Sequence, residues 1–299
     1  MAARHHLAGI ALVAASALLW SFGGTIARYI SIEGWTVVFW RSLFAIAFLL
    51  GFLLLKEGPR QTLRQFTSMG WPGLAVACCF AGASTSFVIA LSYTTVANIL
   101  LMQAGVPLLA ALMCFLLFKE QVSLPTWLAI AAVIAGVFVM VSETLTGKVS
   151  PIGDGLSLLI AMLFATATVL TRRHHEVRMT PAVTLGILIA LCAAAVMGGA
   201  KPVSQTDFLW LVAFGALNLG AGLAAFALGA RLVPAAMAAL VGTLEPVLGP
   251  VWVWLVHAEV PSNRTILGGS IVFVALLTHL LVDLHRSHSH SAAPVSGPL

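Results

Sequence analysis

The feature that most constrains this chain is a succession of apolar runs, each about twenty residues long, separated by short charged or proline- and glycine-bearing breaks. A helix of roughly 20 apolar residues is what crossing a bilayer requires. Hydrocarbon offers no water to backbone N–H and C=O groups, so each run must satisfy its own hydrogen bonds as a helix. Ten runs are legible: 7–30, 34–55, 71–91, 95–118, 124–142, 153–172, 181–199, 207–229, 235–256 and 265–284. None alternates apolar and polar residues as a barrel strand does. Charged residues make up 8% of the chain, against about 25% in soluble domains, too few to clothe a water-facing surface. The expected class is therefore an all-α integral membrane protein with ten transmembrane helices.

The placement of Lys and Arg sets the expected orientation. With the N-terminus in the cytoplasm, Arg4, Lys56, Arg60, Arg64, Lys119, Arg172, Arg173, Arg178, Arg231 and Arg286 fall inside, and Arg28, Lys148, Lys201 and Arg264 outside. Ten against four favours both termini in the cytoplasm of a cell whose inner (plasma) membrane holds the chain. The net charge of +5 is explained by this placement and gives no sign of nucleic-acid binding. The first run is too long for the apolar region of a cleavable leader, so it reads as the first span. The four cysteines sit in apolar stretches without CxxC or Cys/His spacing, which points to packing and not to metal.

The chain also repeats itself. A shift of 139 residues lays Trp71 on Trp210, Phe87 on Phe226, Pro107 on Pro246 and Glu120 on Glu259 without a gap. Identity over this stretch is nine of fifty positions, so the weight rests on the scarce proline and glutamate landmarks. The expected units are 1–145 and 150–285, five helices each, followed by a disordered cytoplasmic tail over 286–299. Five is an odd number, so the second unit would enter the membrane from the opposite side. Such inverted repeats are common in secondary transporters.

These residues resemble the EamA family of the drug/metabolite transporter superfamily along nearly the whole chain. The likeness rests on Leu19-Trp20-Ser21-Phe22, Phe39-Trp40-Arg41, the stretch from Ala90 to Asn98, Pro107-Leu108, Lys119-Glu120, Gly136, Glu245-Pro246-Val247, Ala258-Glu259 and Gly268-Gly269. The resemblance implies a central cavity between the halves, alternating access, and a small-molecule substrate drawn from amino acids, related metabolites or drugs, more often exported. No cofactor and no metal are expected, and the chain is expected as a monomer or homodimer in the lipid bilayer. One departure is His257-Ala258-Glu259, where the family has Leu-Gly-Glu.

Several side chains in the runs could carry function. Glu245 lies near the middle of the ninth run, where a charge costs about 2.5–3.5 kcal/mol on insertion scales. It must face a wet cavity, meet a cation or hold a proton, and the last suits coupling to H+ as counter-ion. Pro246 removes a backbone donor beside it and frees a carbonyl one turn earlier. Arg41, the other intramembrane charge, could reach outward to the interface or inward to Glu245. In the fourth run Asn98 and Met102 share one helical face, and Gln103 and Pro107 a neighbouring one. Asn218 takes the repeat position of Cys79. Trp20 is too deep for an interfacial aromatic belt and could wall a substrate. Trp252 reads as an interface anchor. Glu245, Gln103, Trp20, Asn98, Asn218 and Met102 are thus the expected substrate-binding set, with Arg41 as a structural or coupling charge.

The rival classes are a membrane-embedded enzyme and a receptor or scaffold. No HExxH is found, and no Walker A loop would supply ATP energy. His279 has no visible nucleophile partner.

Overall fold

The structure is a computed structural model that describes residues 2–142, 150–174 and 178–291. Lys148, His175, Glu176, the expected boundary at 145 and residues 292–299 lie outside the described residues. The long apolar runs are helical, and no described residue is in a strand. The first span combines α1 (Ala2–Ser21) and α2 (Gly23–Arg28), separated at Phe22. The second is α3 (Gly34–Glu57) and the third α5 (Gly70–Ala90). Between them lies a short helix, α4 (Pro59–Ser68), where the sequence suggested only a break. Pro59 at its first position starts it, because a missing N–H is harmless in a first turn.

The fourth span is bent by 43° where α6 (Val96–Ala104) meets α7 (Val106–Phe118) at Gly105. α8 (Leu124–Val141), α9 (Pro151–Arg173) and α10 (Met179–Val196) are the fifth, sixth and seventh. In the eighth, α11 (Gln205–Val212) passes into a π-helical segment (Ala213–Ala221) and then α12 (Gly222–Gly229). The ninth joins α13 (Ala235–Gly242) to α14 (Leu244–His257) across Thr243, and the tenth is α15 (Asn263–Ser291). Counting the bent pair as one span, ten helices among the described residues are long and apolar enough to cross a membrane. The chain is a multi-pass membrane protein. The tail expected from 286 is helical as far as Ser291, since no proline or glycine interrupts residues 282–291.

Contacts between connections sort them onto two faces. On one, Arg28 pairs with Glu259 at 2.8 Å, Lys201 with Glu33, and Arg264 donates to the Ser142 carbonyl at 2.8 Å. On the other, Arg172 pairs with Glu120 and Arg178 with Glu57, each at 3.4 Å. They are the Arg28 face and the Arg172 face, respectively.

The helix packing follows an exchange of the two halves. The third span packs on the sixth and seventh, as the eighth packs on the first and second. The breaks at Gly105 and Thr243 correspond within one position, and Pro107 and Pro246, in the helical turns that follow, coincide. Lys119 and Ala258, 139 positions apart, both adopt the left-handed conformation (φ 57° and 53°) that ends their helices. To one side the fifth span lies against the tenth so closely that a Cβ on Gly136 would stand 2.6 Å from the Gly268 carbonyl oxygen.

Candidate functional site

Between the halves lies a cavity of about 660 Å³, within the usual range for small-molecule sites. Its walls are mostly apolar: Trp20, Phe80, Phe87, Leu100, Phe164 and Phe226 are among them. Arg41, Ser84, Gln103, Asn218 and Glu245 add polar groups at mid-span. The lining continues past Thr168 to Arg178, Thr180 and Arg231 at the Arg172 face, and stops short of the connections at the Arg28 face. The cavity is thus drawn toward one side of the bundle.

The helix breaks explain why polar groups gather here. Pro107 and Pro246 stand in the first turns of α7 and α14, directly after the interruptions at Gly105 and Thr243. Both prolines line the cavity, so the interruptions of the fourth and ninth spans border it from opposite halves. Glu245 is the second residue of α14 and meets no ion-pair or hydrogen-bond partner among the described residues. Arg41 is buried at 7% exposure, donates from Nη1 to the Ser84 hydroxyl at 2.9 Å, and lies over the Phe214 ring at 4.4 Å. It neither snorkels nor reaches Glu245. A guanidinium so enclosed stays where aromatic faces and one hydroxyl hold it. Its Nε and the Nε2 of Gln103 are buried donors without partners. Buried donors are rarely left orphaned, so these two are suited to a ligand carrying acceptors.

Asn218 sits in the π-helical segment. Its amide donates to the Leu19 carbonyl at 2.6 Å and the Trp20 carbonyl at 3.2 Å, one turn before the break at Phe22. It therefore serves the first span's interrupted backbone as well as edging the cavity. Trp20 packs against Phe226 with ring centroids 5.5 Å apart.

Two expected site residues stand elsewhere. Met102 is 1% exposed and packed inside the bundle. Asn98 donates to Asp154 at 2.6 Å and to the Thr94 hydroxyl at 3.0 Å, joining the fourth span to the sixth. It edges a smaller polar pocket of about 380 Å³ at the Arg28 face, with Arg28, Tyr93, Asp154 and Ser262. Asn98 and Met102 share the α6 face turned away from the cavity, whereas Gln103, on the neighbouring face, lines it.

Sequence reasoning missed the seal over the cavity. Arg28 pairs with Glu259 and donates to the Leu91 and Thr94 carbonyls at 2.7 and 3.1 Å. The other carboxylate oxygen of Glu259 accepts the Val96 N–H at 2.8 Å, at the start of α6. Below it Trp252, expected as an interface anchor, stacks on Phe22 at 5.1 Å and donates to the Ser21 hydroxyl at 3.1 Å, which ties the ninth span to the first. His257 meets the Thr25 carbonyl at 3.0 Å. The doubled Glu120/Glu259 landmark was the available signal.

The profile of the EamA-like transporter family matches residues 7–142 and 151–281, together most of the chain. The chain belongs to the EamA-like transporter family. Its two matched segments coincide with the two five-span halves, and the protein is a membrane transporter of the drug/metabolite type. The uncharacterised transporter sll1164 of Synechocystis sp. is 22% identical over 269 residues, covering 82% of this chain and 76% of its own. A solved crystal structure, 18% identical, superposes with a TM-score of 0.62 over 93% of this chain and 98% of its own, a likeness of fold alone.

Proposed function

We propose that this EamA-like protein is a secondary transporter that exports an amphipathic small metabolite of the amino-acid kind by alternating access, in exchange for protons. The observation that carries the reading is the cavity chemistry. Orphaned donors on Arg41 and Gln103 suit a carboxylate, the unpaired carboxylate of Glu245 suits an ammonium or a proton, and the aromatic walls suit an apolar side chain. A carboxylate that binds either a proton or the substrate cation, but not both, couples the two flows. Each repeat has five crossings, and the equivalent packing of the third and eighth spans supports halves of opposite sense. The charge count supports a cytoplasmic Arg172 face, with the cavity drawn to that side, in an inner-membrane protein.

Purified protein in liposomes tests this. Counterflow of apolar and aromatic amino acids should depend on pH in the native protein. Glu245→Gln should still fold, yet flux should lose its pH dependence. Unchanged flux and pH profile in Glu245→Gln would remove the coupling role.

A further inference from the structure

The seal at the Arg28 face and the open mouth at the Arg172 face are built from equivalent parts. Glu259 follows α14 just beyond the left-handed Ala258; Glu120 follows α7 just beyond the left-handed Lys119. Each carboxylate faces an arginine that ends the first span of a half: Arg28 for Glu259, Arg172 for Glu120. The start of α6, whose Val96 N–H is held by Glu259, corresponds to the start of α13 at Ala235.

The two sites differ in how tightly they are made. The Arg28–Glu259 pair is 2.8 Å long with side chains 29% and 17% exposed, and it carries three further backbone hydrogen bonds. The Arg172–Glu120 pair is 3.4 Å long with side chains 68% and 41% exposed, beside the cavity mouth. An exposed pair of this kind contributes little, whereas a partly buried charge held by several donors contributes more.

We infer that these are a matched pair of electrostatic latches, Glu259 closing the Arg28 face and Glu120 the Arg172 face, of which one is fully engaged, ion pair and helix-start amide together, at a time. Full engagement of Glu120 tightens its loose, exposed pair with Arg172 and adds the first amide of α13, as Glu259 now holds Arg28 and the first amide of α6. Release of Glu259 opens the smaller polar pocket at the Arg28 face into the central cavity. The latches set the balance between the two facing states without touching the substrate. This rests on the alternating-access reading, but it can be tested without transport.

The experiment uses a cysteine at Gly242, whose added Cβ meets no atom within 4 Å and which lines the cavity. Cys78, Cys79, Cys114 and Cys192 are replaced by serine or alanine. A charged, membrane-impermeant maleimide is then added to either side of sealed vesicles. In the parent, labelling should be fast from the Arg172 face and slow from the Arg28 face. Glu259→Gln should raise the rate from the Arg28 face about tenfold, as expected for loss of one charge-assisted contact. Arg28→Gln, a second disruption of the same latch, should do likewise. Glu120→Gln should lower that rate further. Monodispersity and thermal melting in detergent exclude misfolding. If both latch variants at the Arg28 face keep the parent's two-sided rates while folding normally, the inference is wrong. Absence of amino-acid counterflow in the native protein would instead count against the substrate and coupling reading alone, since labelling needs no turnover.

Discussion

At the scale of single residues, Arg41 and Glu245 show what burial does to charge in a bilayer. Both were legible as intramembrane charges, since their types are rare in apolar runs. How Arg41 is accommodated was not, because Ser84, Phe87 and Phe214 come from other spans. If Arg41 presents its guanidinium fork to a carboxylate, Arg41→Lys keeps the charge but loses the fork. Binding of an amino acid, measured by calorimetry or by counterflow KM, should then weaken about tenfold, the equivalent of one good contact. Asn98 carries the opposite expectation. It ties the fourth span to Asp154 outside the central cavity. Asn98→Ala should lower stability in detergent melts by about 1–3 kcal/mol and leave substrate affinity near its native value. A selective loss of affinity would return Asn98 to the binding set.

At the scale of elements, the sequence displayed the spans and concealed their interruptions. Apolar runs, charged breaks and the Pro107/Pro246 pair mark where helices lie. The break at Phe22 and the π-helical turn at Ala213–Ala221 depend on contact between spans almost 200 residues apart. Asn218→Leu removes the donor held by the Leu19 and Trp20 carbonyls, and so should lower stability by about 1–3 kcal/mol in thermal melts. The fifth and tenth spans make a second test. Gly136→Leu would force a side chain into the Gly268 backbone, and overpacking of this kind costs about 1–3 kcal/mol or prevents assembly. Leucine at Gly155, which faces open space, should be tolerated in the same assay. α4 escaped sequence reading because its length and polarity match neither a span nor a strand.

At the scale of the whole molecule, two weakly similar halves were legible from a handful of landmarks: Trp71/Trp210, Pro107/Pro246 and Glu120/Glu259. Their shared identity is low because lipid-facing positions accept any apolar residue, whereas helix-ending and helix-breaking positions do not. The cavity between the halves could be expected from the family resemblance, and Trp20, Arg41, Gln103, Asn218 and Glu245 do meet in it. The latch at the Arg28 face joins residues 231 positions apart, a distance over which sequence periodicity carries no information. In the proposed cycle, equivalent mouths at the two faces open in alternation. The shift of 139 maps the exposed pair Ser92 and Val260 at the Arg28 face onto Arg231 and Gln121 at the Arg172 face. Spin labels on each pair, read as distances by pulsed electron resonance in nanodiscs, follow both mouths at once. With saturating substrate or with Glu259→Gln, the Ser92–Val260 distance should lengthen as the Arg231–Gln121 distance shortens. Distances that move together, or that stay fixed in both pairs, would contradict it.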